Sequence, residues 1–364
     1  MSQHAPSRQE TFSGTKEVTE AHRIDTRKLE TYLADRIEGF RTPLEVRQFK
    51  GGQSNPTYQL VTPNRKYVLR RKPPGKLLPS AHAVDREFRA ISALHPTGFP
   101  VAKPYLLCED DSIIGTMFYV MDCVEGRVIW EGTIPGATKK ERWAIYDAMN
   151  ETLARLHMLD YEKIGLGDFG KPGAYVARQI SRWTKQYQLS ETETIDEMNK
   201  LIDWLPAHLP PEGKPSVVHG DYRLDNMILH PTEPKVLAVI DWELCTIGDP
   251  MADFTYHLMQ WLMAPGGTSA GTQTLVNSNF DELGIPTMDQ YVDMYMKRTG
   301  RTERPDMNYY AAYNFFRLAG ILQGIVGRVR DGTAASANAA RDASAVRPLA
   351  QRAWHFAKRA GAPG

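Results

Sequence analysis

Residues 217–230 read VVHGDYRLDNMILH. Two valines run into His219-Gly220-Asp221, Asn226 follows five residues after that aspartate, and a second apolar run opens at Met227. This pattern predicts two buried strands joined by a loop, with Gly220 permitting the sharp turn. The loop then offers Asp221 at the end of one strand and Asn226 at the start of the next. A carboxylate and an amide oxygen on one short loop can divide two tasks, accepting a proton and binding a hard cation. The second run turns through HPTEP and returns as KVLAVI, which leads into Asp241-Trp242-Glu243. Such a hairpin brings an acid back beside the loop, so Asp221, Asn226 and Asp241 can converge. An oxygen ligand set lacking His and Cys suits Mg²⁺, which takes its other ligands from water and phosphate.

Outward from this stretch, the hydrophobic period changes once. Residues 1–22 are polar and unpatterned and read as a flexible tail. Asp25 is placed to cap a helix reaching about residue 40, with Leu29, Leu33 and Ile37 at four-residue spacing. Strand-like runs follow at 45–50, 57–62 and 67–71, then the loop KPPGKLLPS, whose Ser80 is placed to cap a helix over 81–94. Two more strands are expected at 103–108 and 113–121. Beyond Gly126 the helical period dominates, beginning with 139–159, where Ile145, Met149, Leu153 and Leu156 share a face. Helices are further expected at 175–188, 192–208, from Asp249-Pro250 onward, at 287–298, at 306–330 and near the C-terminus. Within 306–330, Phe315, Leu318, Ile321 and Ile325 have core spacing, and Arg317 and Gln323 are polar positions that could face a substrate cleft. His157 lies near an apolar helix face and reads as a satisfied core histidine. Strands gathered in the first third and helices thereafter predict an α+β fold.

Composition narrows the function classes. With 364 residues, 42% hydrophobic and 24% charged, the chain has the make-up of a soluble globular protein. A net charge of +1 supplies no whole-chain field for nucleic acid or anionic membrane. No apolar run is long enough for a bilayer, and MSQHAPSRQETFSGTKEVTE has no apolar core of a signal peptide. The three cysteines, Cys108, Cys123 and Cys245, are scattered and suit a reducing cytoplasm.

HGDYRLDN followed by VIDWE resembles the aminoglycoside phosphotransferase and choline kinase-like family of small-molecule kinases, which have the protein-kinase fold. The resemblance runs from about residue 44 to at least residue 261. It implies a small N-terminal sheet lobe over 23–122, after the tail of 1–22, and a larger, mostly helical lobe over 123–364. Carried onto this chain, it makes Asp221 the catalytic base or orienter of the acceptor hydroxyl, and Asn226 and Asp241 the ligands of Mg²⁺ on the nucleotide phosphates. FKGGQSNPTYQL resembles the family's short phosphate loop, with Gly51, Gly52, Ser54 and Asn55 closing over an anion. In YVLRR the family's phosphate-gripping lysine is replaced by Arg70; Lys72, on the same strand face, is the alternative. Glu87 lies within the apolar stripe of its helix, where a carboxylate needs a partner, and Arg70 is the expected one. MDCVEG resembles the linker between the lobes, where the Asp122 carbonyl and Val124 N–H would read adenine and Met121 would back the pocket. In IGDPMADF, Asp249 is expected to cap a helix and Asp253 to bond the backbone of the loop carrying Asp221.

These features imply a cytoplasmic, Mg²⁺-dependent transferase that moves the γ-phosphoryl of ATP or GTP to a small-molecule hydroxyl. RRKPPGKLLPSAHAVDREF and ELCTIGDPMAD look most like the kinase-like domain fused to some acyl-CoA dehydrogenases, which points to a hydroxylated acyl acceptor. The alternatives are an aminoglycoside-type antibiotic kinase and a non-catalytic, nucleotide-binding pseudokinase, the latter resting on Arg70 at the lysine position.

Overall fold

The structure, a computed structural model, describes residues 11, 13–50, 55–73, 83–264, 274–331 and 339–364. Two compact units divide the chain. A strand-rich unit comprises Met1–Trp130, Ile164–Leu166 and Arg223–Cys245, and a helical unit comprises Glu131–Lys163, Gly167–Tyr222 and Thr246–Gly364.

In the strand-rich unit the elements run β1 (Thr15–Lys16), α1 (Thr26–Ala34), β2 (Glu45–Phe49), β3 (Thr57–Val61), β4 (Lys66–Arg71), α2 (Val84–Leu94), β5 (Pro104–Cys108), α3 (Asp111–Ile114) and β6 (Phe118–Asp122). Six strands form one antiparallel sheet in the order β1-β2-β3-β4-β6-β5. Period-two alternation sorts its faces. Tyr58, Leu60, Tyr67, Leu69, Phe118 and Val120 join Leu29, Leu33 and Ile37 in one core cluster. On the opposite face, β4 presents Val68 and Arg70. Arg71, back on the core face, is buried and donates to the carbonyls of Ile114 and His22.

Three local expectations are corrected here. The stretch 13–22, read as part of a tail, is built into the unit: Thr15 and Lys16 pair with β2, and the His22 carbonyl accepts from Tyr58 and Arg71. The α1 helix stops at Ala34, although Ile37 is still buried, so the apolar spacing marked the core beyond the helix. The run 113–121 is not one strand. Asp110 caps the short α3, and Gly115 in the left-handed region ends it before β6. Ser80 lies outside the described residues, and α2 begins at Val84.

The same unit takes up the hairpin β8 (Met227–Leu229) and β9 (Val236–Val239). Arg127 and Leu229 exchange backbone hydrogen bonds of 2.7 and 2.8 Å, Val239 N–H donates to Pro100 O at 2.8 Å, and the Trp242 ring meets Phe99 edge-on. The preceding residue must be glycine for that bridge to form: a Cβ on Gly126 would stand 2.2 Å from the Leu229 carbonyl oxygen.

The helical unit contains α4 (Lys139–Met158), α5 (Tyr175–Ser190), α6 (Asp196–Ala207), β7 (Ser216–Val218), β10 (Thr246–Gly248), α7 (Pro250–His257), α8 (Met259–Leu262), α9 (Phe280–Leu283), α10 (Met288–Thr299), α11 (Met307–Arg330) and α12 (Ala339–Arg359). Ile145, Met149, Leu153 and Leu156 of α4 are fully buried, as their spacing predicts. On α11 the buried apolar positions include Phe315, Leu318 and Leu322, whereas Ile321 and Ile325 are only half-buried. That helix packs against α5, α7 and α12 at once, so its core stripe is wider than one helical face.

Candidate functional site

The stretch 217–230 divides between the units after Tyr222. Val217 and Val218 lie in β7, which pairs with β10 rather than with β8. Gly220 follows with φ of +85°, a left-handed conformation that glycine adopts without steric cost. The turn is held from α7. Asp253, buried in that helix, accepts from His219 N–H at 2.7 Å and Gly220 N–H at 2.8 Å, and its Oδ2 lies 3.1 Å from His157 Nε2. Burial works against the charge of Asp253, but His157 and the His219 backbone hold its carboxyl below the usual carboxylate range. The other nitrogen of His157 lies 2.6 Å from the Tyr295 hydroxyl, so both ring nitrogens of this core histidine have partners.

Asp221 is fixed from two sides. Its N–H donates to His219 Nδ1 at 3.2 Å, and its Oδ1 accepts from the Tyr256 hydroxyl at 2.8 Å. Tyr222 anchors the loop inward, donating to Met149 O at 2.8 Å. Sequence reasoning missed Tyr256; its signal was the position three residues after Asp253, on the same side of α7. Arg317 donates to Gly220 O at 2.9 Å and lies over the Tyr256 ring. Gln323 instead bonds Ser190 O at 2.6 Å and so ties α11 to the end of α5.

In the strand-rich unit, Arg70 is the centre of an acid-rich cluster. Its Nε lies 2.9 Å from Glu87 Oε2, an ion pair by proximity rather than a directed hydrogen bond. Its Nη2 lies 2.7 Å from Asp241 Oδ1 and 3.5 Å from Glu243 Oε2. Desolvation opposes the charge on this buried guanidinium, but Glu87 and Asp241 outweigh it and hold Arg70 firmly protonated. Burial pushes the Glu87 carboxyl above its ordinary value against the pull of Arg70, while Tyr119 and Asn55 donate to its two oxygens at 3.1 and 2.8 Å. Asn55, expected to face phosphate, thus has its amide turned to Glu87. Lys72 reaches Asp85 at 3.8 Å and is separate from the Arg70 cluster. Gly51, Gly52 and Ser54 lie outside the described residues.

The hairpin register brings the two expected metal ligands close. Met227 pairs with Val239, and Ile240 N–H donates to Asn226 O at 2.9 Å, which sets Asn226 beside the residue preceding Asp241. Asp241 itself has φ of +68°, a conformation uncommon for a residue with a side chain and best tolerated by Asp and Asn. Both side chains offer oxygen, the donor type that a hard ion such as Mg²⁺ takes, and Asp241 Oδ1 is paired with the Arg70 guanidinium. Arg223 pairs with Asp225 at 3.2 Å within the same loop. At the linker, Met121 pairs with Val68 in the sheet, Asp122 N–H donates to Lys103 O at 2.8 Å, and Val124 is half-buried.

Such a sheet-and-hairpin unit, joined to a helical unit through an HxDxxxxN loop, is the fold of protein-kinase-like small-molecule phosphotransferases. The chain belongs to the Phosphotransferase enzyme family, APH, whose model matches residues 45–285. It is 44% identical over 354 residues to acyl-CoA dehydrogenase family member 11 of Rattus norvegicus, a match covering 95% of this chain and 45% of that protein. The chain therefore spans under half the length of that relative. A candidate aminoglycoside phosphotransferase from Ralstonia eutropha is 52% identical, with a TM-score of 0.84 over 93% of this chain and 99% of that one. Choline kinase from Cryptosporidium parvum shares the fold at 11% identity, with a TM-score of 0.62 over 92% of this chain and 95% of that one.

Proposed function

We propose that this chain is a Mg²⁺-dependent phosphotransferase that moves the γ-phosphoryl group of ATP or GTP to the hydroxyl of a small molecule. The observation that carries the reading is a held carboxylate. Asp221 stands on a loop pinned by buried Asp253, and its Oδ1 already accepts from a hydroxyl, that of Tyr256. In the proposed reaction the acceptor oxygen forms a bond to the γ-phosphorus while the bond from that phosphorus to the bridging oxygen breaks. The electron pair leaves on the nucleoside diphosphate, and the acceptor proton passes to Asp221. Arg70, braced by Glu87, is assigned to the α- and β-phosphates together with Gly51, Gly52 and Ser54, while Asn55 holds Glu87. Met121, Asp122 and Val124 are assigned to the base. Asn226 and Asp241 would hold Mg²⁺, which supplies charge neutralisation on the phosphates. Free cysteines at 108, 123 and 245 agree with a cytoplasmic setting.

For the acceptor, similarity to an acyl-CoA dehydrogenase family member favours a hydroxylated acyl metabolite. The Ralstonia eutropha structure keeps an aminoglycoside as the alternative. A second reading, a nucleotide-binding module without turnover, rests on Arg70 at the position of the usual lysine. Incubation with γ-labelled ATP, Mg²⁺ and a panel of hydroxyl compounds separates them. The enzyme transfers label to an acceptor, and Asp221→Ala lowers the rate about 10²–10⁴-fold with nucleotide binding retained. Tight Mg·ATP binding with no transfer to any acceptor would establish the module instead.

A further inference from the structure

The reaction as proposed leaves one buried cation of the helical unit without a task. Arg317, on α11, is 8% exposed. Its Nη2 donates to Gly220 O at 2.9 Å, and its guanidinium carbon stands 4.8 Å from the centre of the Tyr256 ring. Among the described residues no carboxylate lies within ion-pair distance of it, in contrast to Arg70. The titratable groups around it are the phenols of Tyr313 on its own helix, Tyr256 on α7 and Tyr175 on α5, with Asp221 acting at longer range. Phenols and a carbonyl satisfy hydrogen bonds and offer a ring face, but they do not neutralise a buried charge. The same Tyr256 ring that Arg317 covers donates to Asp221, so an anion receptor and the proposed base share one supporting side chain.

We propose that Arg317 receives an anionic group of the acceptor, so that the substrate is a hydroxy compound bearing a carboxylate or a phosphate monoester rather than a polycationic amino sugar. The inference rests on the assignment of Asp221 to the acceptor hydroxyl. It concerns α11, which lies beyond the matched family segment of 45–285. A guanidinium presents a planar fork suited to either anion, and a charge-assisted pair in a dry setting discriminates strongly against a neutral isostere.

The test uses the full chain and matched ligand pairs: short-chain hydroxy carboxylates against their primary amides, and hydroxyalkyl phosphates against the parent diols. Binding is measured by calorimetry without nucleotide, and transfer is measured separately with Mg·ATP. The wild type is expected to bind the anion of a pair about 10–100-fold more tightly than its neutral partner. Whichever pair shows the preference identifies the group. Arg317→Met should level the two members, and Arg317→Lys should keep part of the preference, a charge effect that loss of the Gly220 bond alone would not produce. Should Arg317→Met fail to fold, the wild-type ratio and Arg317→Lys still decide. Equal affinity within every pair, or a preference that survives Arg317→Met, overturns the inference. So does calorimetric binding of inorganic phosphate alone as tight as that of the anionic acceptors, since Arg317 would then read the phosphoryl group. Selective anion binding without transfer to any acceptor leaves Arg317 as an anion receptor and removes the phosphotransferase reading instead.

Discussion

Arg70, expected at the family's lysine position, is set among Glu87, Asp241 and Glu243. Glu87 is 1% exposed, and a carboxylate at that depth requires a cation. Arg70→Met should therefore cost about 3–5 kcal/mol in urea denaturation, by stranding Glu87 as much as by losing a contact. The double variant Arg70→Met/Glu87→Gln should recover most of that loss while failing to bind nucleotide. Simple additivity of the two single losses would show that the pair is not coupled. His257 makes a second prediction at this scale. Burial lowers its pKa to about 4; the ring lies 3.1 Å from Tyr222 O and 2.8 Å from the Tyr291 hydroxyl. Its folded value is below its unfolded one, so the stability it contributes is complete above the unfolded pKa of about 6.5 and is lost as pH falls toward 4, by about 3 kcal/mol in all. The thermal stability of His257→Gln should fall less steeply than that of the wild type between those two values. Equal slopes would assign the acid sensitivity elsewhere.

At the scale of the element, α7 organises the loop that carries Asp221. Its cap Asp249 accepts from Met251 N–H at 2.7 Å and from the Tyr310 hydroxyl at 2.7 Å, which fixes the start of the helix. From that start, Asp253 reaches the His219 and Gly220 backbone, Tyr256 reaches Asp221, and His257 lies against the Tyr222 carbonyl. Asp253→Ala should lower stability by about 3–5 kcal/mol, because two loop N–H groups and His157 lose a buried partner together. Tyr256→Phe keeps the ring beneath Arg317 and removes only the donor to Asp221. Its expected effect is a modest stability change with kcat lowered about tenfold, read by steady-state kinetics, because the carboxylate loses one of its two restraints. A kcat equal to that of the wild type would deny Tyr256 any influence on Asp221. The roles of Asp249 and Asp253 were legible from the sequence, since capping and short-range bonding follow local spacing. Tyr256 was not, because its place three residues after Asp253 fixes a side of the helix but not that its phenol meets a carboxylate.

At the scale of the whole molecule, the chain passes between its two units several times, and one crossing falls inside the loop that decides the family. Arg223–Cys245 counts with the strand-rich unit, whereas the sequence reading put that segment in a helical lobe. The reason is physical: its hairpin bonds to Arg127 and Pro100, contacts that no linear period records. The helical unit extends beyond the matched family segment into α11 and α12, which pack along each other, with the Phe315 and Phe356 rings stacked at 5.6 Å. Phe356→Ala should cost about 3–5 kcal/mol by opening a cavity against α11, measurable as a lower denaturation midpoint. A variant as stable as the wild type would show that α12 contributes little to this unit. Among the described residues no helix is long and apolar enough to cross a membrane.

By itself the sequence determined the α+β class, the positions of most strands and helices, and the order His219, Asp221, Asn226, Asp241 that marks the family. Those follow from period, capping and spacing, which are properties of neighbours along the chain. Tertiary structure alone decided that β7 pairs with β10 rather than with the strand after the loop, that Asn55 turns to Glu87, and that Arg70 rather than Lys72 sits among the acids. It also decided that Arg317 bonds the Gly220 carbonyl of the Asp221 loop. Burial of charge is settled by groups that are distant in sequence, and only folding brings them within reach of one another.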